Sequence, residues 1–243
     1  NKVLDKSRLD SKDPISPNQK LVYLACMFLG IFFPILSIFI YDFLNDKIIT
    51  KNDIQKLTNL PIIGNIVHND KSTNLVAINN PKSAIAESLR SIRTNIQYLS
   101  SEKTQQVICI TSSVGGEGKT FCSMNLSSIF AYTNEKTVLI GADMRKPKIF
   151  GDFEMSNDTG LSTYLINKNK LSEVIQKTEI EHLDIILSGP TPPNPYELLD
   201  NNRMSLLIEE LKKDYKYIII DTPPIGLVTD GLVLMKHSDI NLV

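Results

Sequence analysis

Charge of one sign is what this chain lacks: 26 Lys and Arg stand against 27 Asp and Glu, leaving a formal net charge of -1 over 243 residues. Affinity for nucleic acid rests on neutralising phosphates with an excess of basic side chains, so a nucleic-acid partner is not indicated. Cysteine is scarce at three residues. Cys26 lies in an apolar run, Cys109 in a strand pattern and Cys122 in a helix pattern, so a disulfide scaffold is not suggested and all three read as small core residues. Histidine is as scarce, and His68, His182 and His237 stand isolated, without the spacing of metal ligands. Internal repeats and low-complexity tracts are absent as well. The length suits one substantial domain with an appendage.

One long stretch lacks charge entirely. Residues 21–41 carry no charged side chain, about the length that crosses a hydrocarbon layer as a helix. The run is apolar on every face, as contact with lipid requires and as a soluble amphipathic helix would not be. Gly30 and Pro34 interrupt it, and both are tolerated in spanning helices. A cleaved signal peptide fits poorly, because the run is too long and lacks a small-residue cleavage site. Basic residues Lys2, Lys6, Arg8, Lys12 and Lys20 precede it, whereas Lys47, Lys51 and Lys56 follow, so the positive-inside rule points the amino-terminal side inward. A functional ATP site on the carboxyl side points the other way, because ATP and magnesium are cytoplasmic, and the expectation follows the ATP site.

Residues 113–120, Ser-Val-Gly-Gly-Glu-Gly-Lys-Thr, follow a strand pattern at 107–111 and open a helix pattern at 119–132. This is the layout of a phosphate-binding loop. Backbone N–H groups of a glycine-rich turn and a helix N-terminus surround a polyphosphate, Lys119 reaches the outer phosphates and the Thr120 hydroxyl binds magnesium. Ser113 replaces the first glycine of GxxxxGK[ST]. Support comes from two further strand patterns that end in acids, 137–142 leading to Asp143 and 217–221 ending in Asp221. In an open parallel sheet these strand ends share the carboxyl edge, where ligands bind.

Strands at 107–111, 137–142, 183–187 and 217–221 alternate with helices at 83–99, 119–132 and 196–213. Unbroken apolar strands between helices predict a three-layer α/β fold of the P-loop NTPase kind with a mainly parallel sheet, preceded by one transmembrane helix. On the helix at 83–99, Ile85, Leu89, Ile92, Ile96 and Leu99 form one apolar stripe. Glu87, Arg90 and Arg93 lie off that stripe at i, i+3 spacing, which by itself indicates a solvated face with a weak ion pair. Asn1 is not an initiator methionine and residues 240–243 look like the opening of a strand, so a piece of a longer protein is expected.

Together these residues resemble the bacterial tyrosine kinases (BY-kinases) fused to polysaccharide chain-length co-polymerases. The likeness covers essentially the whole chain: the transmembrane run, an E-x-x-R-x-x-R helix (Glu87, Arg90, Arg93), the phosphate loop, a second Walker-type strand ending Gly141-Ala-Asp143-Met-Arg145, residues 192–199 (PPNPYELL) and the Walker B strand ending Asp221-Thr-Pro-Pro224. The resemblance implies an ATP-dependent protein-tyrosine kinase that phosphorylates tyrosines in the tail of a neighbouring copy. It implies a ring-like homo-oligomer contacted through Glu87, Arg90 and Arg93, and service to the machinery that exports and polymerises capsular or extracellular polysaccharide. It places the protein in the bacterial inner membrane, divided into a linker at 1–19, the membrane helix at 20–44, a cytoplasmic linker at 45–80 and a kinase domain at 81–243.

The expected nucleotide contacts are Ser112, Ser113, Val114, Gly115, Gly116, Glu117, Gly118, Lys119, Thr120 and Phe121. Lys119, Asp143 and Asp221 are the expected catalytic residues, and Thr120, Asp143 and Asp221 the magnesium ligands, for a reaction catalysed mainly by positioning and charge neutralisation. Asp143 is also placed to accept the proton of a phenol whose pKa is near 10. Gly141 departs from the family, which usually carries an aspartate there. Two other readings compete. Partitioning-type regulatory ATPases share the deviant loop but typically carry a lysine where this chain has Val114. A non-catalytic co-polymerase that binds ATP only to set its assembly state is the other.

Overall fold

A computed structural model describes residues 18–45, 48, 50–99 and 104–243. The expected linker at 1–17, with Lys2, Lys6, Arg8 and Lys12, lies outside the described residues, as does Lys47. The chain forms two compact units, Asn1–Ile62 and Ile63–Val243.

In the first unit, α1 (Gln19–Phe43) contains the uncharged run, and its most apolar 18-residue window has a mean hydropathy of 2.4. At 1.5 Å rise per residue its 25 residues extend roughly 37 Å, enough for a hydrocarbon layer of about 30 Å. Asn18 caps it, accepting from the Lys20 N–H. Pro34 sits inside the helix, and Ser37 Oγ donates to the Pro34 carbonyl at 2.8 Å. A short α2 (Lys51–Leu57) follows, begun by a capping box in which the Asp53 carboxylate accepts from the Thr50 N–H.

The second unit runs α3 (Val76–Asn79), α4 (Ala84–Leu99), β1 (Gln106–Ile110), α5 (Lys119–Ala131), β2 (Thr137–Gly141), α6 (Ile149–Asp152), α7 (Leu161–Leu165), α8 (Leu171–Val174), β3 (Ile175–Lys177) and β4 (Leu183–Ile186). It closes with α9 (Pro195–Leu199), α10 (Asn202–Leu211), β5 (Tyr217–Asp221), α11 (Asp230–Met235) and β6 (Ile240–Leu242). The sheet order is β3-β4-β2-β5-β1-β6, parallel throughout except for the β3–β4 pair. Every residue of β1, β2 and β5 is buried, which is why these strands read as continuous apolar runs.

Successive strand residues enter opposite cores. Val107, Cys109, Val138, Ile140, Ile218 and Ile220 pack with Leu207, Ile208 and Leu211 of α10. Ile108, Leu139, Tyr217 and Ile219 pack on the other face with Ile92 and Ile96 of α4 and Met124 and Phe130 of α5. Phe130 and Tyr217 meet at a ring-centroid distance of 4.0 Å.

Three expectations change. The compact unit starts at Ile63, ahead of the boundary expected at 81, because Val76 and Ala77 are buried with Ile85, Leu89 and Ile129, and the Asn125 side chain bonds both the Ala77 N–H and the Asn74 carbonyl. The single helix expected at 196–213 is two, since Asn201 caps α10 by accepting from the Arg203 N–H. The apolar stripe of α4 holds through Ile96, but Leu99 is exposed. Replacing fully buried Leu89 by alanine is expected to destabilise the second unit by about 2–5 kcal/mol, and Leu99→Ala by no more than about 0.5 kcal/mol. Urea unfolding of the whole chain in detergent micelles, comparing the two variants, checks this.

Candidate active site

The loop between β1 and α5 has Gly116 at φ 92° and Gly118 at φ 95°, the left-handed region that side chains disfavour. A Cβ at either would meet nothing within 4 Å, so the need for glycine there is conformational rather than steric. Ser112 Oγ donates to the Val114 carbonyl at 2.8 Å, and the Glu117 carboxylate accepts from the Val114 N–H at 3.2 Å. From behind, the Ile225 and Gly226 N–H groups donate to the Ser112 and Ser113 carbonyls at 2.9 and 3.0 Å. Gly226 is required for that approach: a Cβ would lie 2.3 Å from the Ser113 oxygen. The loop thus presents the first turn of α5, whose N–H groups have no intrahelical acceptor.

Asp221 closes β5, the strand between β2 and β1, and is 2% exposed. Thr120 Oγ1 donates to its Oδ2 at 3.0 Å; Ser123 Oγ lies 3.0 Å from its Oδ1 and 2.9 Å from the Lys119 carbonyl, sharing one proton. Burial pushes the Asp221 carboxyl up to about 6, against the opposing pull of Lys119 and the two hydroxyls. Asp143, just past β2, faces Lys119 with Oδ2 3.4 Å from Nζ, while its Oδ1 accepts from the Arg145 and Lys146 N–H groups at 3.3 and 3.0 Å. A shallow recess lies beside these groups, with Gly141, Asp143, Lys148, Asn157, Ser188 and Asp221 in its wall. Gly141 pairs with Asp221 in register, and a Cβ there would sit 3.2 Å from Ile149 Cδ1 and 3.4 Å from the Ser188 nitrogen. Glycine there lets Ile149 and the Ser188 backbone close against the strand end.

The structure brings Lys119, Thr120, Asp143 and Asp221 together. Val114 lies half exposed on the outside of the loop, and the Phe121 side chain packs toward Val76 and Leu89, leaving only its backbone on the loop side. Glu87, Arg90 and Arg93 lie apart on α4: Arg90 Nη1 pairs with the Glu87 carboxylate at 2.9 Å, and Nη2 donates to the Pro81 carbonyl at 2.7 Å. Arg93 Nε is buried with no hydrogen-bond partner. Sequence reasoning missed Ser123, although its place four residues after Lys119 puts it on the face of α5 that meets β5. It also missed the pairing of Arg145 with Asp230, whose partners are 85 positions apart.

The donors near Lys119 are carboxylate and hydroxyl oxygens, the hard set that suits magnesium. Among the described residues no group of three or more His, Cys, Asp or Glu is placed to hold a metal alone. A magnesium ion that keeps its waters and takes oxygens from phosphates fits so sparse a set.

Fold and site define a P-loop nucleotide-binding domain, and a family model described as an AAA domain matches residues 105–243. The chain belongs to the bacterial tyrosine-protein kinases. It is 40% identical over 166 residues to tyrosine-protein kinase YwqD of Bacillus subtilis, which covers 68% of this chain and 70% of that one. It is 36% identical over 176 residues to tyrosine-protein kinase etk of Escherichia coli, of which it spans 24%. The kinase domain of that protein superposes with a TM-score of 0.73 at 30% identity, over 79% of both chains. The septum site-determining protein MinD of Pyrococcus horikoshii, complexed with Mg-ADP, is 25% identical with a TM-score of 0.50, covering 56% of each chain.

The raised Asp221 value sets the sign of a stability effect. Between pH ~4 and ~6 the folded chain holds a proton that the unfolded chain has lost, so stability falls as pH rises through that window and stays lowered above it. Asp221→Asn is expected to remove this fall and to stabilise the nucleotide-free chain at pH 7.5 by on the order of 1–3 kcal/mol. Urea midpoints of both proteins from pH 4 to 8 check this; parallel curves would contradict it.

Proposed function

We propose that this chain is an ATP-dependent protein-tyrosine autokinase of the bacterial inner membrane, acting in the synthesis and export of capsular or extracellular polysaccharide. The carrying observation is the placing of Lys119, Thr120, Asp143 and Asp221 at the carboxyl edge of the sheet, Lys119 Nζ 3.4 Å from Asp143 and Thr120 Oγ1 3.0 Å from Asp221. Residues 112–121 would wrap the phosphates of ATP. Lys119 would reach the transferred group, and Thr120 and Asp221 would hold magnesium with help from Asp143. When bound, the ion neutralises charge on the phosphoryl oxygens. Asp143, in the wall of the shallow recess, would accept the phenol proton as the tyrosine oxygen attacks.

In this reading residues 20–44 span the membrane, supported by the length and hydropathy of α1, and the unit from Ile63 onward is the cytoplasmic kinase domain. Glu87, Arg90 and Arg93 would contact the next copy in a ring, within which each copy phosphorylates its neighbour. The exposure of Glu87 agrees with a surface open to another chain.

The likeness to MinD favours a second reading, a regulatory ATPase that switches between assembly states. Val114 in place of lysine counts against it. Incubation of the full-length protein with labelled ATP separates the two: phosphotyrosine supports the kinase, and labelled free phosphate alone supports the switch. Lys119→Ala is expected to lower phosphotyrosine formation by at least about 100-fold, because the charge that stabilises the transferred group is lost. Joint replacement of Arg90 and Arg93 by alanine is expected to shift the assembled protein to smaller species in detergent, seen by light scattering after size exclusion. An unchanged mass would remove the proposed ring contact.

A further inference from the structure

Arg145 and Asp230 come from distant parts of the chain and meet two residues beyond Asp143. Asp230 opens α11, is 1% exposed, and spends both carboxylate oxygens on one guanidinium: Arg145 Nε donates to Oδ2 at 2.8 Å and Nη2 to Oδ1 at 3.0 Å. Such a fork-to-fork pair fixes orientation as well as distance. The Arg145 side chain is 42% exposed, so the carboxylate is the member committed to the interior. Burying a carboxylate is expensive even when paired, and a hydrophobic residue packed in the same space would cost less. Its presence calls for a role other than stability.

The surrounding contacts supply one. The Arg145 N–H donates to Asp143 Oδ1, and the other oxygen of Asp143 faces Lys119 of the phosphate loop. On the other side, Gly231 follows Asp230 and lies against Ile225 and the Pro223 carbonyl, while Ile225 and Gly226 donate to the carbonyls of Ser112 and Ser113 at the start of the same loop. The contacts therefore close a circuit: phosphate loop, residues 223–226, α11, Asp230, Arg145, Asp143, and back to Lys119.

We infer that Asp230 is a positioning residue, which through the forked ion pair with Arg145 holds Asp143 in register with Lys119 during phosphoryl transfer. The inference rests on the proposed placing of Asp143 in the reaction. A displacement of about 1 Å in a reacting geometry lowers rates by up to about 100-fold without touching substrate binding. Loss of the fork is therefore read in turnover and not in nucleotide affinity.

The test uses the full chain in detergent micelles with Asp230→Asn, Asp230→Glu, Arg145→Lys and the Arg145→Lys/Asp230→Asn double variant. Turnover is followed as ADP formed, which registers transfer to tyrosine and to water alike, so failure of the tyrosine reading leaves this test intact and shows separately as missing phosphotyrosine. Asp230→Asn is expected to lower kcat by about 10- to 100-fold, with KM for ATP, the affinity for a fluorescent ADP analogue and the thermal midpoint all near wild type. Asp230→Glu recovers part of the loss, and Arg145→Lys, which keeps the charge and loses the fork, lowers kcat similarly. The double variant is expected to be no slower than the worse single one, as for two residues acting as a unit. The inference is overturned if Asp230→Asn turns over within about twofold of wild type, if affinity and thermal midpoint fall together with turnover, or if the two single losses multiply.

Discussion

Asp221 ends the strand that lies between β2 and β1, and its carboxylate is buried beneath the first turn of α5. Two hydroxyls from the first two turns of that helix, Thr120 and Ser123, take one oxygen each. The helix that carries Lys119 is thereby tied to the centre of the sheet, and the glycine-rich loop before it has only one place to run. Burial raises the carboxyl to about 6, so the folded chain keeps an acid that would be easier to ionise in water. The proposed cation, brought in with a polyphosphate, would relieve that cost and so couple nucleotide binding to the stability of the domain.

Around that anchor the two cores divide the labour. On one face α4 and α5 pack through Ile92, Ile96, Met124 and Phe130, and they fix the angle at which α5 meets the loop. On the other, α10 covers the odd residues of β1 and the even residues of β5. The segment from Ile63 to Asn80 is bound into the first of these layers by Asn125, whose amide is shared between the Asn74 carbonyl and the Ala77 N–H. What reads as a linker is part of the domain, because a few apolar residues and one buried amide dock it.

Much of the fold was legible because its signals are local. Apolar runs marked β1, β2, β4 and β5 to within a residue or so, and the sheet is mainly parallel as expected. Short elements escaped notice: α3, α6, α7, α8 and α11 have six residues or fewer and too few turns to show a period. Asn201 divided a helix that looked continuous, since a capping side chain competes with the backbone at a point where the apolar pattern does not break. In the site, Lys119, Thr120, Asp143 and Asp221 could be named from strand ends and loop spacing. Asp230 could not, because it matters only through Arg145, a partner 85 positions away.

The sequence by itself determined the class of chemistry: a glycine-rich turn ending in Lys119 and Thr120, two strand-end acids, and an uncharged run long enough for a bilayer. These follow from residue type and spacing, which short-range backbone geometry converts directly into structure. Only the tertiary structure decided which acid is buried and which faces the lysine, where the domain begins, and that Arg145 is gripped by Asp230. Burial, register and ion-pair geometry are properties of elements brought together from distant positions, and spacing along the chain carries no record of them.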